Sequence, residues 1–285
     1  MKKRLSTIFL ALCLIIGMLP TVAFAVPLAE GDGLTAENPM TVPVDKMVIQ
    51  NGTYYGISYQ WFKEINPSKQ TMYFSIALPA NVVTVLDDGF RDSWSSQKEN
   101  NGAATYYSGS RSTDWAHYHV VSIDFSQATN LKTIKKQAAM SNTYLSGVLD
   151  LSNTKVETIG KNAFKECSGL TGVILPKTLK NIGSDNAGSV FYGCIGLEYV
   201  RTVGGNPDSV FELPGKLVYL GNQSFYRCTG LPANTTVEIP ASVTYIGNEV
   251  FNYTPSVTTI VVKTNNASQY QSGAFKISGN YGLGK

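Results

Sequence analysis

Residues 156–170 read V-E-T-I-G-K-N-A-F-K-E-C-S-G-L, and the first nine letters of this stretch return along the chain. Each copy has apolar residues at its first and fourth positions, and most copies have phenylalanine at the ninth. The clearest copies are V-V-T-V-L-D-D-G-F at 82–90, L-V-Y-L-G-N-Q-S-F at 217–225 and V-T-Y-I-G-N-E-V-F at 243–251. The copy at 131–139 ends in Ala139, and the copy that begins at Leu179 reaches Phe191 after four inserted residues.

These copies recur with a nearly constant period. The ninth positions lie at 139, 164, 191, 225, 251 and 275, so that successive copies are 25, 27, 34, 26 and 24 residues apart. A repeated unit of this length cannot bury its apolar residues alone, and it gains a continuous core by stacking on its neighbours. The period therefore predicts a solenoid with a unit of about 25 residues, which is in the range of leucine-rich repeats.

A strand-like segment precedes most copies and ends in an apolar-Pro step, as in V-I-L-P at 173–176. Alternation points Val173 and Leu175 to one face of this strand and Gly172 and Ile174 to the other. Proline then ends the strand at little cost. In the copy that precedes this strand, the spacing of three between Phe164, Cys167 and Leu170 predicts a single helical turn with these residues on one side.

The resulting pattern, L-x-x-V-x-L-P-x-x-V-x-x-I-G-x-x-A-F-x-x-C, closely resembles the BspA-type leucine-rich repeats of bacterial surface and secreted proteins. It covers about residues 72–275. The resemblance implies a right-handed, β-rich solenoid with short helical turns and a parallel strand ladder on one face. It also implies a role of the kind found in adhesins that bind host or microbial surface molecules.

The segments outside the repeats complete the predicted organisation. Residues 1–25 have a basic start, an apolar middle and an Ala-Phe-Ala end, which predicts a secretory signal peptide; lipidation at Cys13 is disfavoured by the large Leu12 before it. Residues 26–71 are predicted to be a linker and a capping hairpin that turns at Asn51-Gly52. Residues 72–285 form the solenoid, with an insertion at 91–119 that breaks the period. We expect a secreted or cell-surface bacterial protein.

Charge and hydropathy exclude some partners. Three of the 23 basic residues and none of the 20 acidic residues lie in the signal peptide, so the mature chain carries 20 of each. Clustered lysine and arginine would indicate nucleic acid or an anionic membrane, and the sequence shows no such run. After the signal peptide, no stretch approaches the roughly 20 apolar residues of a transmembrane helix. We expect no nucleic-acid partner and no membrane span.

Two sets of residues could carry chemistry. Three cysteines remain after cleavage, and an odd number in a secreted chain excludes a complete set of internal disulfides. Cys167, Cys194 and Cys228 share one repeat position, which favours a small buried residue over a catalytic nucleophile. His117 and His119 could bind zinc, but no cysteine or acidic ligand stands at a recognisable metal spacing. The sequence therefore predicts no enzyme, no cofactor and no metal site.

The outward positions of the strands and the aromatic insertion are the candidate binding surfaces. Alternation predicts an outward ladder of Ser75/Ala77, Ser122/Asp124, Gly147/Leu149, Gly172/Ile174, Tyr199/Arg201, Thr236/Glu238 and Thr259/Val261. A merely solvated sheet would show the same pattern, and the insertion could fold back on the solenoid. Aromatic residues among Ser, Gly and Asn are typical of adaptable binding loops. The candidate ligand-binding residues are Trp94, Tyr106, Tyr107, Trp115, His117, Tyr118, Tyr199 and Arg201.

These observations favour a secreted or cell-surface binding module that adheres to a protein or glycan of the host or of another microbe. Two alternatives remain open at this stage. One is a structural spacer for a missing partner domain, and the other is a polysaccharide-active accessory protein in which Asp114, His117 or Asp124 contributes to the chemistry. The sequence identifies neither the ligand nor the oligomeric state.

Overall fold

The computed structural model describes residues 31–68, 70–91, 118–184, 188–263 and 270–276, with the backbone of 99–100 and 103–104. The predicted signal peptide lies outside this part of the chain. The described chain contains many short strands, a 3-10 turn at Val44–Lys46 and one α-helix, α1, at Tyr59–Ile65. The strands are β1 (Met40–Thr41), β2 (Met47–Gln50), β3 (Thr53–Ile57), β4 (Met72–Ala77), β5 (Thr84–Val85), β6 (Glu99–Asn100), β7 (Ala103–Ala104), β8 (Tyr118–Asp124), β9 (Thr133–Ile134), β10 (Ser146–Asp150), β11 (Thr158–Ile159), β12 (Gly169–Leu175), β13 (Asn181–Ile182), β14 (Tyr199–Thr202), β15 (Tyr219–Leu220), β16 (Thr235–Ile239), β17 (Tyr245–Ile246) and β18 (Val257–Val262).

One side of the molecule is an eight-stranded sheet in the order β17-β15-β13-β11-β9-β5-β3-β2. Each repeat contributes one two-residue strand, and every pairing is parallel except the hairpin between β2 and β3. The second residue of each repeat strand points inward and is buried, because it is the apolar fourth position of the repeat. These inward residues are Val85, Ile134, Ile159, Ile182, Leu220 and Ile246. We call this side the short-strand ladder.

A second side carries the longer strands, in the sheets β1-β4-β8, β10-β12-β14 and β16-β18, and all of these pairings are parallel. We call it the strand face. The buried Asn142 side chain links the first sheet to the second, because its amide nitrogen donates to the Val120 carbonyl at 2.7 Å. Its amide oxygen accepts from the backbone nitrogens of Tyr144 and Leu145, just before β10. The two ladders confirm the predicted solenoid of parallel strands.

The third side corrects one prediction, because tight turns and not a helical turn join Phe164 to Cys167 and Cys167 to Leu170, which already belongs to β12. Asn162 and Glu166, two residues before and two after Phe164, have φ values of 57° and 60°. The left-handed conformation interrupts any helix and costs a non-glycine residue about 1 kcal/mol. The equivalent positions of the other repeats have the same conformation, at Gln137, Ser141, Ser189, Gly193, Gln223, Arg227, Glu249 and Tyr253.

This conformation directs the peptide groups of the turns along the solenoid. The Phe164 nitrogen donates to the Val190 carbonyl of the next repeat at 2.9 Å, and the Phe191 nitrogen donates to the Ser224 carbonyl at 2.8 Å. Similar lines of hydrogen bonds run through the left-handed residues on either side. For example, the Asn162 nitrogen donates to the Gly188 carbonyl at 2.9 Å. Each step along this turn side therefore gains about three hydrogen bonds between repeats, which offset the backbone strain.

The core is filled by the ninth-position phenylalanines. Phe164, Phe191, Phe225 and Phe251 stack at centroid separations of 5.7, 5.4 and 5.7 Å, and their planes lie within 18° of parallel. All four are buried. The stack is possible because the repeat sets the ring spacing, and aromatic pairs favour offset arrangements at such distances.

The cysteines follow the phenylalanines by three residues, and each is fully buried. Each thiol donates to a backbone carbonyl of the preceding repeat: Cys167 to Ala139 at 3.0 Å, Cys194 to Phe164 at 3.1 Å and Cys228 to Phe191 at 3.2 Å. In the next repeat Thr254 occupies this position, and its hydroxyl donates to the Phe225 carbonyl at 2.8 Å. The position therefore selects a small residue that can also donate a hydrogen bond.

The 34-residue spacing before Phe225 has a structural cause. After β14, the chain returns beside the same strand, and Phe211 forms a parallel bridge with Val200. The Phe211 ring then enters the core edge-on to Phe225 and Phe251, at 5.0 and 5.6 Å. The extra residues thus supply an additional rung on the strand face between β14 and β16.

The two ends of the solenoid differ. At the N-terminal end, β2 and β3 form an antiparallel hairpin that turns at Asn51 and Gly52, both with positive φ, as the Asn-Gly pair predicts. Helix α1 follows this hairpin; it was not predicted. Its N-cap is Ser58, and its Phe62 packs in the core. In the last repeat, Phe275 is 40% exposed while Ala274 is buried, so the ninth-position pattern ends at Phe251.

The thiol position can be tested with two substitutions of equal size. Cys194→Thr should keep the bond to the Phe164 carbonyl, because Thr254 makes the equivalent bond, whereas Cys194→Val removes the donor. We expect the valine variant to be less stable than the threonine variant by about 1 kcal/mol in urea unfolding of residues 26–285. Equal stability, or a more stable valine variant, would show that the position selects for size alone.

Candidate ligand-binding surface

The outward residues of β10, β12 and β14 lie side by side on the strand face. Val148 lies beside Gly172, which in turn lies beside Tyr199. One step along the strands, Asp150 lies beside Ile174, and Ile174 lies beside Arg201. We call Val148, Asp150, Ile174, Tyr199 and Arg201 the strand-face patch. Its centre is apolar, and carboxylate and guanidinium groups lie at its two edges, as in many protein-binding surfaces.

The structure corrects the predicted outward ladder at two places. Leu149 is buried and Val148 is 43% exposed, because Leu149 pairs with the inward Val173 of β12. Burial alternates regularly from Leu145 to Leu151, so that Val148 and Asp150 point outward instead of Gly147 and Leu149. Ser75 is also buried, and its hydroxyl accepts a hydrogen bond from Ser122 at 2.7 Å.

Tyr199 lies across the neighbouring strand. An ideal Cβ on Gly172 would be 2.2 Å from its Cζ, so the phenol ring occupies the space that a side chain on β12 would fill. The Arg201 guanidinium lies 4.6 Å from the ring centroid, which is a cation–π contact. The Arg201 Nε also donates to the Ser209 carbonyl at 3.0 Å. Both predicted strand residues are therefore held in place before any ligand arrives.

The surroundings of Tyr199 also affect its ionisation. Partial burial is the main cause that raises the pKa of its phenol above the ordinary value, and the nearby Asp150 and Glu198 carboxylates act in the same direction. Arg201 opposes them. The phenol therefore stays neutral at physiological pH and can donate a hydrogen bond to a ligand.

A second aromatic group lies towards the N-terminal end of the strand face. Of its members, sequence analysis considered only His119, as a possible zinc ligand. The His119 and Tyr144 rings stack at 3.9 Å, and the Tyr73 ring is 5.3 Å from His119 and 5.5 Å from Tyr144. Partial burial and a hydrogen bond to the Tyr144 side chain raise the pKa of Tyr73. Alternation along β4 could have identified Tyr73, but Tyr144 precedes β10 in a turn and gave no signal.

Most of the predicted aromatic insertion lies outside the described residues, namely Trp94, Tyr106, Tyr107, Trp115 and His117. Tyr118 is an exception, and its predicted role at the surface is wrong. It is the first residue of β8 and is 1% exposed, with its ring edge-on to Phe62 at 5.4 Å and to Phe74 at 5.7 Å. The repeat thus resumes at Tyr118, and the last two residues of the predicted insertion, 118 and 119, belong to the strand.

The side chains considered for catalysis have structural roles, as far as they belong to the described residues. Burial raises the pKa of the Cys194 thiol to about 12 and that of Cys228 well above its ordinary value, so neither forms a thiolate at neutral pH. The Asp124 carboxylate accepts from the backbone nitrogen and the hydroxyl of Ser126 at 2.7 and 3.1 Å. It therefore caps the turn in which serine replaces the usual proline. Asp114 and His117 lie outside the described residues.

The described residues contain neither a cluster of metal ligands nor a membrane-spanning helix. Within 31–276, apart from the gaps named above, no group of three or more His, Cys, Asp and Glu side chains is placed to hold a metal ion. Over the same part of the chain, no helix is long and apolar enough to cross a membrane.

Comparison with known proteins agrees with this architecture. The family model described as "BspA type Leucine rich repeat region" matches residues 114–210 and 208–281, in six copies. The chain is similar to a leucine-rich-repeat protein of T. pallidum at 15% identity, over 81% of this chain and 91% of that one, with a TM-score of 0.37. No curated protein matches it.

Two further solved structures are similar. One is a leucine-rich cell surface protein from Faecalibacterium prausnitzii A2-165, at 15% identity over 79% of this chain and 52% of that one, with a TM-score of 0.35. The other is the pneumococcal vaccine antigen PcpA, at 16% identity over 80% of this chain and 72% of that one, with a TM-score of 0.28.

The placement of the Tyr199 ring can be tested by a substitution on the neighbouring strand. Gly172→Ala places a methyl group where the ring now lies, and the ring can swing outward because it is the free end of a side chain. We expect a changed near-UV circular dichroism spectrum with little loss of thermal stability. Gly215→Ala is the matched control, because no atom lies within 4 Å of its Cβ position. An unchanged spectrum in both variants would contradict the close fit of Tyr199 against Gly172.

Proposed function

Because the chain belongs to the BspA-type leucine-rich-repeat family, we propose that it is an extracellular binding module that adheres to a protein or glycan on a host or microbial surface. The strand-face patch is the observation that carries this proposal. Solenoid repeats commonly use such extended faces for binding. The basic and apolar N-terminal sequence, residues 1–25, supports export of the chain to the place where such ligands occur.

The chemistry of the patch suits a ligand with both apolar and polar groups. Val148 and Ile174 offer apolar surface, and Tyr199 adds a ring edge and a hydroxyl. Tyrosine and arginine are enriched among residues that dominate binding energies, because each buries a large area and keeps a polar end. Arg201 and Asp150 lie two strands apart, so a ligand with complementary charges would be oriented across the patch.

The preorganisation of the patch should reduce the entropic cost of binding. Arg201 already bonds to the Ser209 carbonyl and contacts Tyr199, and the Asp150 carboxylate accepts from the Ser152 backbone nitrogen at 2.8 Å. Side chains that are ordered before binding lose little rotamer freedom when the ligand arrives. A purely structural spacer would need no such arrangement of outward side chains.

A screen followed by one pair of variants tests the strand-face patch. Residues 26–285 are applied to an array of glycans and extracellular-matrix proteins, and any ligand is then titrated with Val148→Lys. We expect at least a tenfold loss of affinity, because the ammonium group would be desolvated where a ligand covers the apolar surface of the patch. Val44→Lys is the control, since Val44 is an exposed valine outside the patch. Absence of any ligand on the array would favour the spacer.

A second set of variants tests the aromatic insertion, which we include in the proposed ligand surface. Trp94, Trp115 and Tyr199 are replaced together by alanine, and adherence to the ligand found on the array is measured. We expect the triple variant to lose more affinity than Tyr199→Ala alone, because the tryptophans would act as further aromatic anchors. Equal affinities of the single and triple variants would remove the insertion from the surface, and adherence equal to wild type would remove Tyr199 as well.

A further inference from the structure

A column of lysines lies on the side of the short-strand ladder, away from the strand-face patch. Just before each short strand, a buried apolar residue is flanked by two outward positions. In four successive repeats one of these two positions holds an exposed lysine. The four residues, which we call the lysine column, are Lys132, Lys155, Lys180 and Lys216.

Backbone hydrogen bonds fix the spacing of the column. The Glu157 nitrogen donates to the Lys132 carbonyl at 2.8 Å, and the Lys180 nitrogen donates to the Glu157 carbonyl at 2.9 Å. The Lys155 nitrogen donates to the Leu131 carbonyl at 3.0 Å, which places Lys155 one repeat after Lys132. Neighbouring strands are about 4.8 Å apart, so the four lysines span about 14 Å along the solenoid.

The positive charge of the column exceeds the negative charge beside it. Glu157 is the one acidic residue at these outward positions in the four repeats, and its Oε2 is 2.8 Å from the Lys180 Nζ. A hydrogen bond from Lys180 lowers the pKa of Glu157, and the charges of Lys180, Lys132 and Lys216 act in the same direction. Among the described residues, no carboxylate forms an ion pair with Lys132, Lys155 or Lys216.

The column is bounded and is accompanied by hydrogen-bonding groups. The corresponding positions before it hold Asn81 and Val83, and those after it hold Ser242 and Thr244, so the charge stops at both ends. The short strands beside the column place Thr133, Thr158 and Asn181 in register on successive rungs. Their partly exposed hydroxyl and amide groups could bond to neutral polar groups of a ligand while the lysines contact its charges.

We propose that the lysine column binds a linear polysaccharide that carries sulfate or phosphate groups. Ammonium groups act as point charges and suit such anions without demanding one geometry. The lysines alternate between the two positions that flank the buried apolar residue, so the column is a narrow zigzag, which fits an extended chain better than a folded protein. It contains no arginine, and the one aromatic residue on its rungs, Tyr219 beside Lys216, is already stacked on Tyr245 at 4.5 Å, whereas nucleic-acid sites interleave aromatic residues that stack on the bases. This site is separate from the proposed function of the strand-face patch.

Affinity for defined polyanions tests the column. Residues 26–285 are titrated at about 0.15 M salt with heparin, which carries sulfate, with dextran phosphate, and with neutral dextran. The variant Lys132→Gln/Lys155→Gln/Lys216→Gln removes the three lysines and leaves the ion pair of Lys180 intact. We expect it to lose at least tenfold in affinity for the charged polymer that binds more tightly, with a smaller salt dependence, because fewer counterions are released.

The matched control removes the same charge elsewhere. Lys46→Gln/Lys263→Gln/Lys276→Gln acts on three exposed lysines outside the column, each paired with a carboxylate. This control should bind as wild type does, and Tyr199→Ala should also do so, because the two surfaces are independent. Glu157→Gln should bind more tightly by severalfold, since it removes the one negative charge of the column.

Each outcome is decisive. Preference for heparin or for dextran phosphate identifies sulfate or phosphate as the anion, and either supports the proposal. Binding of neither polymer, or equal losses in the two triple variants, would overturn it. Duplex DNA that competes with heparin as well as heparin itself would refute the assignment to a polysaccharide. Circular dichroism melting of all variants excludes loss of fold as the cause.

Discussion

Stacking of the repeats depends on the backbone hydrogen bonds that join each coil to the next on all sides. On two sides these bonds are ordinary parallel strand pairings. On the turn side they require left-handed residues, such as Asn162 and Glu166, on either side of the phenylalanine. That conformation is unfavourable for an isolated repeat and is repaid only when the neighbouring repeat accepts the bonds. The same bonds set the rung spacing that allows Phe164, Phe191 and Phe225 to stack.

Sequence periodicity could predict much of this architecture, because the residues that face the core recur at fixed spacing. The buried position of Cys194 and the turn at Asn51-Gly52 follow from such local patterns. The conformation of the turn side could not be predicted, because its left-handed positions hold residues as different as Gln137 and Arg227. Their backbone angles are imposed by contacts between repeats, and the sequence of a single repeat does not indicate those contacts.

The candidate binding surfaces could likewise be predicted only in part. Alternation correctly placed Tyr199 and Arg201 outward, but in β10 the predicted phase was wrong, because Leu149 pairs with the inward Val173. Tyr118 was misassigned because the insertion before it hides the point at which the repeat resumes. The lysine column is not apparent in the sequence, because its successive members are 23 to 36 residues apart. The balanced charge of residues 26–285 therefore conceals a local excess of positive charge that appears only when the repeats are stacked.

The hydrogen bonds of the turn side also give the molecule an electrical direction. Every peptide group in these lines points its N–H towards the C-terminal repeats and its C=O towards the N-terminal repeats, as in the series from Ala139 through Phe164 and Phe191 to Phe225. Aligned peptide dipoles add, as they do in an α-helix. The turn side thus carries a dipole along the solenoid axis, with its positive end at the last repeat. Two such solenoids joined end to end through this side would align head to tail.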